Sequence, residues 1–197
     1  MALLPRFRRL FQVVTDLGAG HILVYPLPFL IIILLSVVIL DQVTKYIVQQ
    51  NMTLHASIPV LSDYVRLTYI HNPGAAFGIM PGNRWLFLAL SLVACGVMIY
   101  YFYALPADER WGRRALMGIL GGAVGNLIDR VRFGEVTDFV DVGIGTYRWP
   151  VFNVADMAVT IGVAILFLRL SSLPKNEKQE QASEDQGELI NSEDRTS

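Results

Sequence analysis

The chain has 197 residues, 53% of them hydrophobic and 17% charged, with a mean hydropathy of +0.45. Soluble domains carry about 25% charged residues, so this is the composition of a membrane protein. A net charge of −1 leaves no basic stripe to neutralise phosphates and excludes nucleic acid as a partner, while the single cysteine, Cys95, excludes an intrachain disulfide.

Arg6, Arg8 and Arg9 precede a first apolar run, Ile22 to Leu40. At roughly 19 residues this run exceeds the roughly 7–15 of a signal-peptide core, and no small-residue cleavage site follows it, so a retained span is expected. Pro26 and Pro28 fall near its start, where a missing N–H costs least. Asp41 and Lys45 come next, at the i,i+4 spacing of a pair on one face of a helix leaving the lipid. Residues 51–84 are rich in Thr, Tyr, Val and Ile and broken by Pro and Gly, the pattern of short strands. Within them HNPGAAFG, residues 71–78, sets Asn72 among small residues that allow close backbone approach; alone it reads as a turn.

The second span is expected over residues 85–103, with Trp85, Tyr100, Tyr101 and Tyr103 as interfacial aromatics. A short connection with Arg110, Arg113 and Arg114 leads to a third span, residues 115–130. There Gly118, Gly121, Gly122 and Gly125 make two overlapping G-x-x-x-G spacings, which admit a neighbouring helix. Asn126, Asp129 and Arg130 follow at i, i+3 and i+4, on one face, with the arginine beside Asp129 to hold it ionised. A mixed polar and aromatic loop carries Asp138 and Asp141. The fourth span, residues 151–170, opens with Asn153 and Asp156 at i,i+3. From Pro174 onward the tail is rich in Glu, Asp, Gln and Ser and is expected to be disordered.

These elements predict an all-α polytopic membrane protein: four transmembrane helices, with a small β-rich extracytoplasmic region between helices 1 and 2. Residues 1–21 form a cytoplasmic N-terminus, 22–170 the membrane domain and 171–197 an acidic cytoplasmic tail. Lys and Arg number ten on the side of the termini and six on the other, which orients both termini toward the cytoplasm. Asp41, Lys45, Asn72, Asn126, Asp129, Arg130, Asp138, Asn153 and Asp156 then gather at the outer face.

Charges at membrane depth cost about 2.5–3.5 kcal/mol each on insertion scales, so such a cluster marks a working site. Two carboxylates within hydrogen-bonding distance hold one proton between them. The ionised member can take a proton from water while the protonated one polarises a carbonyl. Any two of Asp129, Asp138, Asp141 and Asp156 could form that pair, although the arginine beside Asp129 disfavours it. His21, His55 and His71 lack H-E-x-x-H spacing, there is no Cys/His cluster, and no G-x-S-x-G occurs. No metal or cofactor is expected. A proton-coupled transporter using the same carboxylates is the competing reading, but no internal repeat accompanies them. A purely structural scaffold has no use for so many outward polar groups.

Five motifs, in order, carry a resemblance: Asp41-x-x-x-Lys45, Asn72-Pro-Gly-Ala-Ala-Phe77, Gly121 through Asn126-Leu-Ile-Asp129-Arg130, Val136-Thr-Asp138-Phe139, and Phe152-Asn153-Val-Ala-Asp156. Together they resemble the bacterial lipoprotein signal peptidases, signal peptidase II, over roughly residues 24–170. The resemblance implies an aspartic endopeptidase of the bacterial cytoplasmic (inner) membrane. Its substrates would be prolipoproteins carrying a diacylglyceryl group, cut on the N-terminal side of the lipidated cysteine. It places the catalytic pair on Asp138 and Asp156 and leaves Asp141 a bystander. Asp41, Lys45, Asn72, Asn126, Asp129, Arg130 and Asn153 become supporting residues. Lipidated prolipoproteins and membrane lipid are the expected partners of a monomer. Met157 and Val159 depart slightly from the family pattern and bear only on local packing.

Overall fold

The computed structural model describes residues 27–74, 84–105 and 109–171. The expectations for residues 1–21, for the acidic tail beyond Ser171 and for Ala75–Phe77 of the asparagine motif lie outside the described residues. Among the described residues there are four long helices: α1 (Leu27–Asn51), α2 (Arg84–Ala104), α3 (Arg110–Arg132) and α4 (Val154–Ser171). Helices α1 and α2 are long and apolar enough to cross a membrane, with mean hydropathies of 2.3 and 2.1.

Helix α3 is the centre of the bundle and packs against the other three. Its glycines explain how. A Cβ added at Gly121 would stand 2.9 Å from the Leu34 carbonyl of α1, and one at Gly122 would strike the Ala155 carbonyl of α4. The small residues thus bring two backbones onto adjacent sides of one helix. Gly118, the fourth glycine of the motif, faces open space and has no such role. Leu116, Met117 and Leu120 of α3 form the apolar core with Leu30 of α1 and Cys95 and Phe102 of α2. Outward, α1 exposes Ile31, Ile32, Leu35, Ile39 and Leu40, and α2 exposes Leu90, Leu92, Val93 and Val97. That apolar exterior suits hydrocarbon rather than water.

Two connections, not one, build the sheet. Strands β1 (Ser57–Leu61) and β2 (Val65–Asn72) come from the α1–α2 connection, β3 (Val136–Ile144) and β4 (Tyr147–Arg148) from the α3–α4 connection, in the antiparallel order β1-β2-β3-β4. The expected loop over residues 131–150 is therefore mostly strand, and the all-α description needs a shared sheet added to it. The run Val136-Thr-Asp-Phe-Val-Asp-Val142 is β-branched or aromatic at five of its seven positions, and pairing with β2 settles its conformation.

Helix boundaries shift as well. The first helix runs on to Asn51, past the expected end of the lipid span at Leu40, and carries Asp41 and Lys45 inside it, as their i,i+4 spacing requires. The third helix fills Arg110–Arg132 and ends where Phe133 and Gly134 donate N–H groups back to Asp129 and Arg130, with Gly134 at φ +85°. Helix α4 begins at Val154, not 151, because Phe152 is still bound to β3: it bridges Val140 through N–H···O contacts of 2.7 and 3.0 Å.

Candidate active site

The Phe152–Val140 bridge decides what comes together. It holds the chain entering α4 two positions from Asp138 on β3, so the first residues of the helix arrive beside that carboxylate. Asn153 caps α4. Its side-chain oxygen accepts the Asp156 N–H at 2.9 Å, and the Asp156 carboxylate accepts the Asn153 N–H at 3.2 Å. This reciprocal capping box satisfies two N–H groups that a helix start would otherwise leave without partners. The i,i+3 spacing of Asn153 and Asp156 is thus first a capping motif.

The same asparagine reaches across to the strand. Asn153 Nδ2 donates to Asp138 Oδ1 at 2.6 Å, and Asn72 Nδ2, at the end of β2, donates to Asp138 Oδ2 at 2.8 Å. On the other side Asn126 Nδ2 of α3 donates to Asp156 Oδ1 at 2.8 Å. Asp138 and Asp156, from two different elements, are therefore joined through Asn153 and flanked by Asn72 and Asn126. Burial of Asp138, 1% exposed, pushes its carboxyl up to about 6; the Asn72 bond opposes this, and the nearby Asp156 charge adds to it. A carboxylate in that state keeps its proton well above the ordinary Asp range.

Beneath this pair lies a second cluster. Lys45 Nζ stands 2.8 Å from Asp41 Oδ2, 2.9 Å from Asp129 Oδ2 and 2.9 Å from Asn126 Oδ1. Asp41 is 0% exposed, Lys45 2% and Asp129 1%. The Asp41–Lys45 pair forms on one face of α1, as its spacing implied, but inside a buried cluster closed over by α3 and α4 rather than at a solvated surface. Gly125 makes the space for it: a Cβ there would lie 2.6 Å from Asp41 Oδ2. Asp41 Oδ1 also accepts the Ala155 N–H at 2.9 Å, capping α4 from a neighbouring helix.

The partner expected for Asp129 was also the wrong cation. Asp129 pairs with Lys45 and accepts the Thr137 N–H at 3.1 Å, whereas Arg130, one residue on, points elsewhere and donates to the Asn126 carbonyl at 3.4 Å. Consecutive residues lie about 100° apart around a helix, and here the two side chains diverge. The charges acting most on Arg130 are Asp156, then Asp138, then Asp129.

Asp141 is separated from Asp138 by strand alternation: an odd spacing of three places it on the opposite face. There it accepts Arg148 Nε and Thr68 Oγ1, each at 2.8 Å. Three further residues were not singled out as site residues, although Thr137 lies within the Val136–Phe139 motif. Gln42 donates to Asp129 Oδ1 at 3.0 Å, Gln49 donates to Thr137 Oγ1 at 2.8 Å, and Thr137, 0% exposed, fixes the strand just before Asp138. Val159, one of the two departures from the family pattern, packs against Gly122.

The fold and the site define a helical membrane protein in which a buried carboxylate, Asp138, and a part-buried one, Asp156, are held together through Asn153. Comparison with known proteins makes that specific. Residues 33–172 match the family model for signal peptidase (SPase) II. The lipoprotein signal peptidase of Syntrophus aciditrophicus is 44% identical over 148 residues, covering 73% of this chain and 91% of that protein. The one from Moorella thermoacetica is 43% identical over 152 residues, covering 77% and 97%. A bacterial membrane enzyme solved by the in meso method at 2.3 Å resolution superposes with a TM-score of 0.69 at 36% identity, covering 78% of this chain and 96% of that one. The chain belongs to the signal peptidase II family and is a peptidase.

Proposed function

We propose that this peptidase removes signal peptides from diacylglyceryl-modified prolipoproteins, cutting on the N-terminal side of the lipidated cysteine with Asp138 and Asp156 as its catalytic dyad. The observation that carries the dyad is the joint setting of the two carboxylates: different elements, one bridging asparagine, and Asp138 held neutral up to about pH 6. In that state Asp138 carries the proton and Asp156 is the base. Asp156 takes a proton from water as the water oxygen attacks the scissile carbonyl, and Asp138 gives its proton to the carbonyl oxygen. Collapse of the resulting diol returns a proton to the leaving amine. Asp41, Lys45, Asn72, Asn126, Asp129, Arg130 and Asn153 support the pair by the contacts described above.

Helices α3 and α4 complete a four-span bundle in this reading, with both termini cytoplasmic and the sheet and dyad near the outer face. The Lys and Arg distribution supports that orientation. Impermeant maleimide should label Ser62→Cys in intact cells and leave Arg110→Cys unlabelled; the reverse pattern overturns the orientation. For the chemistry, detergent-purified protein is given a lipidated precursor with no ion gradient present. Wild type should cleave it and Asp156→Asn should not. A folded Asp156→Asn protein that cleaves at the wild-type rate removes the dyad.

A further inference from the structure

Asn126 stands between the buried cation and the dyad, and its amide has two ways round. Lys45 Nζ is a donor with three N–H groups and no acceptor capacity. Its three neighbours, Asp41 Oδ2, Asp129 Oδ2 and Asn126 Oδ1, use all three. An oxygen must therefore face Lys45, and the nitrogen of the same amide must face Asp156 Oδ1, where it donates at 2.8 Å. The reversed amide would put N–H against N–H at Lys45 and oxygen against oxygen at Asp156.

Asn153 is a weaker guide to that orientation. Its Nδ2 has two hydrogens and three acceptors: Asp138 Oδ1 at 2.6 Å, Asn126 Oδ1 at 3.1 Å and Thr137 O at 3.3 Å. One hydrogen goes to Asp138, and the other is shared between the two longer contacts. The full donor to Asn126 is Lys45. We infer that Lys45 is a positioning residue: it fixes the orientation of the Asn126 amide and thereby supplies Asp156 with the donor that aims it as the base. This rests on the assignment of Asp156 to the dyad.

The test is a double-mutant cycle on cleavage of a lipidated precursor, using Lys45→Met, Asn126→Ala and the double variant, with Asp156→Asn alongside and thermal unfolding measured for each. Lys45→Met should lower kcat roughly 10–100-fold, the scale on which outer partners of a site act, with KM within about twofold. Asn126→Ala should do the same, and the double variant should be no slower than Asn126→Ala alone, because no amide is left to orient. Losses that multiply instead, or a loss confined to KM, overturn the proposal. Lys45→Met leaves two buried carboxylates facing each other, so the protein can fail to fold. Asn126→Asp then carries the test: it keeps an oxygen for Lys45 and replaces the donor to Asp156 by an acceptor, and wild-type kcat in that variant overturns the proposal. Should Asp156→Asn itself cleave normally, it is the dyad assignment that fails, which the cycle distinguishes from a failure of Lys45.

Discussion

Two clusters of oppositely charged residues flank the sheet, and they are built from the same chemistry to different ends. The inner one, Asp41, Lys45 and Asp129, has side chains 0–3% exposed and binds three helices together. The outer one joins Asp63 to Arg66, whose side chains are 45% and 37% exposed, with Arg148 reaching the Asp63 carbonyl at 2.5 Å and Asp141 at 2.8 Å. Arg66 beside it holds the Asp63 carboxyl below its ordinary range. Water can replace either partner of the outer pair, so its loss is cheap. No solvent reaches the inner cluster; there every donor and acceptor must find protein, and the price is that each member becomes indispensable to the others.

That contrast can be broken in several ways. The largest effect should come from the carboxylates above the inner cluster. Asp138→Asn or Asp156→Asn should lower turnover by at least roughly 10²–10⁴-fold, the worth of a lost general acid or base. The double variant should be no worse than either single one, since the pair acts as a unit. Asp141→Asn, three residues from Asp138 but on the other face, should keep most of its turnover. A dead Asp141 variant with a normal melting curve would mean the two faces are coupled.

Next comes the inner cluster itself. Asp41→Ala removes a partner of Lys45 and the cap on Ala155 together, and should cost about 3–5 kcal/mol, the scale for breaking a buried ion pair. Denaturation in detergent or bicelles reads this directly. A loss within error of zero would place water in a cluster that the structure closes.

Acidity should distinguish Asp138, above the inner cluster, from the outer cluster in sign. Folding raises Asp138 from the ordinary 3.8 to about 6, so between those values the folded chain binds more protons than the unfolded one. Stability must then fall as pH rises through this window, by about 3 kcal/mol in all. The slope should vanish in Asp138→Asn. Asp63, lowered rather than raised, acts in the opposite sense, contributing stability that fades as pH drops below the ordinary Asp range. The smallest effect belongs to the outer pair: Arg66→Ala should leave the melting temperature nearly unchanged, and added salt should erase what difference remains.

Alternation, spacing and composition were enough to read the membrane class, helices near the expected positions, strands in residues 51–84 and the aspartates and asparagines that meet at the site. They were enough because each rests on a local property, such as apolar length, β-branching or i,i+3 placement, and because five motifs in order are specific to one family. Partnership was decided by tertiary structure. Asp129 chooses Lys45, distant in the chain, over the adjacent Arg130, because the helix turns the neighbour away while α1 brings the lysine in. Residues 136–144 become strand because β2 offers a hydrogen-bonding edge. Gln42, Gln49 and Thr137 enter the site only once three elements converge on them. Which donor faces which carboxylate depends on atoms brought within 3 Å by separate elements, and no local pattern in the chain encodes that distance.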